Sequence, residues 1–150
     1  MFYIPFTIYA KLSSSSIASR QVTGTVAIKI AQTMNFVDVK PTDYFYNSVK
    51  WALTKNITKG TSATTFSPYK TCTRAEIVTF LWRYAKKPAG YASNPFTDVN
   101  KTDHASYYDA ILWAVSKGIT TGSTAKTFSP NGTCTRGEAV TFLYRYNGGK

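Results

Sequence analysis

A chain of 150 residues that is 43% apolar and 15% aromatic has enough material for one compact core and is too apolar for wholesale disorder. Its net charge of +11, from 18 basic and 7 acidic residues, favours anionic partners. The positive charge is dispersed: the longest basic run is Lys86-Lys87, and neither an Arg-rich helix nor a zinc-finger spacing occurs, which argues against nucleic acid as the partner.

Residues 1–35 resemble no other part of the chain. Residues 2–10 are apolar, but the stretch is short, carries Pro5 and lacks a basic flank, so it reads poorly as a signal peptide and is no membrane span. Ser13-Ser-Ser-Ser16 is a linker signal, and Val26, Ile28 and Ile30 alternate with smaller or polar residues as in a half-buried strand. An irregular or short-stranded segment is expected here, either the trailing end of an upstream module or a frame-shifted start.

From residue 36 onward the chain repeats itself. Residues 51–84 and 113–146 align without a gap and agree at 22 of 34 positions. Each copy follows a matching lead-in, Phe36-Val-Asp38-Val39 and Phe96-Thr-Asp98-Val99. Such a repeat is usually one supersecondary unit burying its apolar face against its neighbour, which favours a serial binding surface over a single active site. The units read as 36–90 and 91–150.

Each unit reads as helix, loop, helix. In the first, Pro41-Thr42-Asp43 offers capping chemistry for a helix running to about Lys55, with Phe45, Val49, Ala52 and Leu53 as its apolar stripe. Asn56, and Gly118 in the second unit, suit a left-handed helix end. A Thr-, Ser- and Gly-rich loop follows, anchored by Phe66 and Pro68. The second helix opens on a capping box, Thr73-Arg74-Ala75-Glu76, repeated as Thr135-Arg136-Gly137-Glu138. Removing such a cap costs about 1 kcal/mol. Ile77, Phe80, Leu81 and Tyr84 read as the inward face. Cys72 and Cys134 precede the caps, where each suits a small buried hydrophobe packed on Ile77 or Ala139. A disulfide between them would require Cα atoms within about 7 Å.

Few residues suggest chemistry. Glu76 and Glu138 are occupied by the caps, His104 is a lone histidine in a polar loop, and no nucleophile–base pair, metal-ligand spacing or cofactor motif recurs. Asp38 and Asp98 suit turn or cap acceptors for the lead-in, or groups that orient a basic residue or a sugar hydroxyl. Arg74 and Arg136 each occupy a first helical turn, where the dipole disfavours a cation. Each either joins free backbone amides in holding an anion, or pairs with a nearby Asp or packs through its stem. Arg83 and Arg145, almost three turns further on, read as surface or inter-repeat residues.

The ordered series Phe-x-Asp-Val, Trp-Ala, Gly-Ile-Thr-x-Gly, Thr-Phe-Ser-Pro, Cys-Thr-Arg-(Ala/Gly)-Glu and Phe-Leu-(Trp/Tyr)-Arg resembles the S-layer homology domain. The resemblance runs from Phe36 to Tyr146. It implies a mainly α fold, with tandem helix-loop-helix repeats packed as a pseudo-symmetric helical bundle. It also implies a non-catalytic, extracellular module on the bacterial surface that binds an anionic, pyruvylated secondary cell-wall polysaccharide in grooves between repeats. Arg74 and Arg136 would then be ligand-binding residues, with Trp51, Trp113, Asp38 and Asp98 as groove or scaffold residues. Arg74→Ala should weaken wall binding more than Arg83→Ala. The alternative is the anchoring tail of a larger wall hydrolase or a surface-layer structural protein whose main domain is absent here. The family typically works with three repeats around a pseudo-threefold axis. With two, an apolar flank should stay open for the N-terminal segment, a second chain in a homo-oligomer, or a missing third repeat.

Overall fold

Both repeats fold as two short helices joined by a long loop. The structure, a computed structural model, describes residues 3–8, 22–27, 33–91 and 93–149. The helices are α1 (Tyr46–Thr54), α2 (Arg74–Tyr84), α3 (Tyr108–Ser116) and α4 (Arg136–Tyr146). The chain divides into two compact units, Met1–Thr33 and Met34–Lys150. In the first, strands β1 (Tyr3–Ile8) and β2 (Val22–Ala27) form an antiparallel pair with Tyr3 opposite Ala27 and Ile8 opposite Val22. The strand expected around Val26 therefore exists but starts earlier. Ile28, Ile30 and the serine run lie outside the described residues.

The helix boundaries follow local chemistry. α1 begins later than Pro41-Thr42-Asp43 suggested, because the Asp43 carboxylate accepts the Lys40 amide at 2.7 Å and closes a turn first. The Tyr46 amide then bonds to the Asp43 carbonyl at 3.0 Å. At the far ends, Asn56 (φ 57°) and Gly118 (φ 68°) take the expected left-handed conformation. Both capping boxes are formed. Thr73 accepts the Glu76 amide at 3.2 Å while Glu76 accepts the Thr73 amide at 2.7 Å, and Thr135 and Glu138 do the same at 3.2 and 2.9 Å.

Packing between repeats alters one expectation. The buried positions of α2 are Arg74, Ala75, Val78, Thr79 and Leu81, whereas Ile77 and Phe80 are half-buried and Tyr84 is exposed. The helix against which α2 packs most is α3 of the next repeat, so its buried arc faces that repeat rather than α1. Ala75, Val78 and Leu81 join Ile111, Trp113 and Phe128 in the main core, while Phe36, Val39, Val49 and Leu53 form a smaller core in the first repeat.

Candidate functional site

The start of α2 is built into the second repeat. The amides of Arg74 and Ala75 donate to the carbonyls of Gly132 (2.8 Å) and Pro130 (3.1 Å), and the Cys134 amide donates to the Cys72 carbonyl (2.9 Å). The first-turn amides that would hold an anion are therefore already taken at this helix. The Arg74 side chain follows them in. Its Nε donates to the Phe128 carbonyl at 3.0 Å, and its Nη1 makes a short ion pair with Glu138. Its guanidinium lies over the Phe128 ring (5.1 Å) and near the Phe142 ring (5.5 Å). Arg74 is buried, so the cation is accommodated there by a carboxylate, a carbonyl and two rings. The sequence had suggested pairing with an Asp, but the acid is the capping Glu138, one side chain serving both its own helix and the neighbouring repeat. The Thr135 amide, and after it Arg74, hold that carboxyl below its usual range.

Arg136 has the same motif and a different fate: it is exposed at the start of α4.

Asp38 and Asp98 organise the loops. Asp38 accepts the amides of Phe66 (2.9 Å) and Ser67 (2.7 Å), and Asp98 those of Phe128 (2.9 Å) and Ser129 (2.8 Å). These bonds, the one from Phe66 foremost, hold the Asp38 carboxyl below its ordinary value. They also fix Ser67 and Ser129 at positive φ. In the same loop Gly122 has φ +91°, and a Cβ there would stand 2.6 Å from both the Phe96 ring and the Thr127 carbonyl; Gly60 stands likewise against Phe36 and Thr65. The two aspartates thus shape the loop that receives Arg74 in the second repeat and its open counterpart in the first.

A second cluster lies along the helix ends. Four aromatic rings form a row that crosses from one repeat to the other: Trp51 to Tyr84 at 6.1 Å, Tyr84 to Tyr146 at 6.3 Å, and Tyr146 to Trp113 at 6.0 Å. Trp51 and Tyr84 are about half exposed, while Trp113 is buried. Trp113 and Tyr146 line a cleft of about 400 Å³ between the repeats, bounded by Ala85 and Pro88 on one side and by Lys117 and Arg145 on the other. That volume falls in the usual range for ligand clefts, roughly 300–1,000 Å³. None of the lining residues is acidic. The buried indole N–H of Trp113 has no hydrogen-bond partner among the described residues, and leaving such a donor unsatisfied costs about 1–3 kcal/mol. One N–H of Arg145 reaches the Ile119 carbonyl at 3.4 Å, and its other guanidinium donors make no hydrogen bond among the described residues.

Sequence reasoning names Trp51 and Trp113 as site residues and Arg145 only as a surface or inter-repeat residue, places Tyr84 on an inward face, and does not single out Lys117 or Tyr146. The available signal was the Arg-Tyr pair that ends both copies, Arg83-Tyr84 and Arg145-Tyr146. Tyr84 had been read as an inward residue because its spacing fits the helix stripe.

Nothing in the cluster suggests bond-making chemistry. Cys72 and Cys134 are free thiols on adjacent backbones, and burial pushes both above their usual range, which disfavours the reactive thiolate. Among the described residues there is no group of three His, Cys, Asp or Glu that could hold a metal, and no helix long and apolar enough to cross a membrane.

Residues 35–78 and 95–140, together more than half of the chain, match the family profile of the S-layer homology domain. The chain is 36% identical over 110 residues to an endoglucanase of Bacillus sp. (strain KSM-635), covering 73% of this chain and 11% of that protein. It is 33% identical over 131 residues to the surface-layer 125 kDa protein of Lysinibacillus sphaericus, covering 87% and 11%. It is 26% identical over 136 residues to the S-layer protein sap of Bacillus anthracis, covering 90% and 16%. The chain therefore spans only a small part of each relative's length. No solved structure gives a significant match.

Proposed function

The chain belongs to the S-layer homology domain family, whose members typically anchor proteins to the cell wall, and from that premise we propose that it is a non-catalytic anchor whose aromatic row and adjoining cleft bind an anionic, pyruvylated secondary cell-wall polysaccharide. The observation that carries this reading is the junction of Trp51, Tyr84, Tyr146 and Trp113 with a cleft whose charged lining residues, Lys117 and Arg145, are both cationic.

The chemistry suits an acidic sugar polymer. Sugar faces stack on half-exposed aromatic rings, and a carboxylate takes charge-assisted bonds from a guanidinium and an ammonium, each worth about 1.5–3 kcal/mol. Arg74 enters as a positioning residue, because it locks the junction across which the row runs. The charge of +11 assists long-range attraction to an anionic wall and makes binding sensitive to salt.

The deciding experiment is co-sedimentation with bacterial sacculi, before and after chemical removal of the secondary polymer. Binding should vanish with the polymer. Lys117→Glu, at an exposed position, should abolish or strongly reduce binding with the fold intact. Tyr84→Ala should weaken it about two- to tenfold. Arg74→Ala should weaken it more than Arg83→Ala, through loosening of the junction. Equal binding to stripped sacculi, or full binding by Lys117→Glu, would defeat the proposal.

A second reading is favoured by the small share of each relative that the chain covers: the chain is the anchoring part of a larger surface protein or wall-associated enzyme. Its own part in such a protein would still be attachment, and wall-degrading activity from the purified chain would count against that assignment.

A further inference from the structure

The interface between the two repeats has two faces, and each face occurs a second time in the molecule without a partner among the described residues. One is the arginine-bearing helix. On α2, Val78 and Leu81 are 0% and 7% exposed; the matching residues of α4, Val140 and Leu143, are 67% and 53% exposed, and Tyr144 beside them is 59% exposed. The other is the receiving face. Trp113 on α3 is 3% exposed under α2, whereas its counterpart Trp51 on α1 is 49% exposed beside a shallow groove that includes Phe45, Ser48 and Ala52.

The arginine cradle is duplicated in the same way. Arg74 sits among Phe128, Glu138 and Phe142. The equivalent residues of the first repeat, Phe66, Glu76 and Phe80, line a cleft of about 250 Å³ together with Pro68 and Lys70. Pro68 and Lys70 match Pro130 and Gly132, whose carbonyls receive the amides of α2. Among the described residues no backbone amide donates to Pro68 or Lys70, and Glu76 has no cationic partner. The change from Gly132 to Lys70 narrows the cradle and adds a cation to its rim: a Cβ at Gly132 would stand 3.1 Å from the Ser129 carbonyl and 3.4 Å from Arg74 Cδ. Arg136 is exposed at the head of α4, whose Val140 and Leu143 are also exposed.

We propose that a second copy of this chain fills these half-interfaces, its α4 seating on α1 as α2 seats on α3, with its Arg136 entering the Phe66, Glu76 and Phe80 cradle. The occupant is argued from the molecule itself. The interface that α4 and α1 would form is already realised between α2 and α3: α4 keeps Arg, Val, Phe and Leu where α2 has Arg74, Val78, Phe80 and Leu81, and α1 keeps the tryptophan of α3, although Ser48 and Lys50 stand where α3 has Ala110 and Leu112 and make the receiving face more polar. The contact is head-to-tail: each copy offers one donor face and one receiving face, so association closes into a ring or continues as a chain. The arriving Arg136 would neutralise Glu76, the one acidic residue lining its cleft. Covering Trp51 as Trp113 is covered would shape a second cleft beside Arg83 and Tyr84.

Net charge opposes association at low ionic strength, so the measurement belongs at about 0.15 M salt, where screening acts within about 8 Å. Sedimentation equilibrium of the full chain, without polymer, should show the average mass rising above 16.6 kDa with concentration. Arg136→Glu, at an exposed position, should lower the association constant at least about tenfold. Glu76→Arg should do the same, and mixing the two variants should restore association, because each then supplies the charge the other lacks. Circular dichroism of Glu76→Arg separates a lost cap from a lost contact, and recovery on mixing is possible only for a folded chain. A mass fixed at 16.6 kDa across the range, equal association by Arg136→Glu, or no recovery on mixing by folded variants would each overturn the proposal. Because no polymer is present, any of these results leaves the wall-binding reading to stand or fall on its own.

Discussion

The starts of α2 and α4 share the sequence Thr-Arg-x-Glu and the same capping box, yet only one is buried. Arg74 is covered by the second repeat, held by Phe128 and Glu138, and its helix contributes Val78 and Leu81 to the core. Arg136 heads a helix whose only buried residue is Phe142. The local motif fixes where each helix begins. What the arginine then does is decided by the repeat that follows, because the partners of Arg74 lie in residues 128–142, more than fifty positions away.

That difference predicts unequal consequences for equal substitutions. The largest concerns the two leucines: Leu81→Ala should cost about 2–5 kcal/mol of stability by opening a cavity in the core, and Leu143→Ala less than about 0.5 kcal/mol, both read by urea denaturation of the dilute chain. Comparable losses would mean that α4 is covered. Next come the arginines. Arg74→Ala removes a bond to Phe128 and leaves Glu138 without its cation, so about 2–3 kcal/mol should be lost, tempered by the partial exposure of that carboxylate. Arg136→Ala should change monomer stability by less than about 0.5 kcal/mol. Gly122→Ala should cost about 1–3 kcal/mol, from positive φ and a Cβ pressed on Thr127 and Phe96. A Gly122→Ala chain as stable as the parent would mean that the loop rearranges freely.

The same comparison explains what could be read in the sequence. The helices, both capping boxes and the left-handed Asn56 and Gly118 depend on residues within a few positions of one another, and all three features were legible. The later start of α1 was missed because Asp43 serves a turn with Lys40 before any helix begins. The buried arc of α2 was misplaced because a helical stripe records the sum of its neighbours, and α3 was not visible as one of them. The aromatic row was hidden for a related reason: its four rings come from four helices, and only their shared placement in both copies marked them.

The smallest expected effect tests whether two carboxylates, Asp38 in the open loop of the first repeat and Glu138 at the junction, act through their charged forms. Asp38 and Glu138 are held below the ordinary carboxylate range of about 4, chiefly by backbone amides of Phe66 and Thr135 respectively. The unfolded chain therefore takes up these protons at a higher pH than the folded one does. The stabilisation is fully present above the unfolded pKa values and is lost as pH falls through the lower, folded ones. Melting temperature should accordingly be flat with respect to these groups near neutrality and decline below about pH 4.5. Asp38→Asn should flatten part of that acid limb, since an amide oxygen still accepts a loop N–H but no longer titrates. Glu138→Gln should flatten more of it while weakening the hold on Arg74. The two roles separate at neutral pH, where Asp38→Asn should leave the burial of Arg74 intact and Glu138→Gln should loosen it. An acid limb unchanged in both variants would mean that the carboxylates contribute geometry alone, and that the difference between Arg74 and Arg136 rests on the Phe128 carbonyl and the two rings.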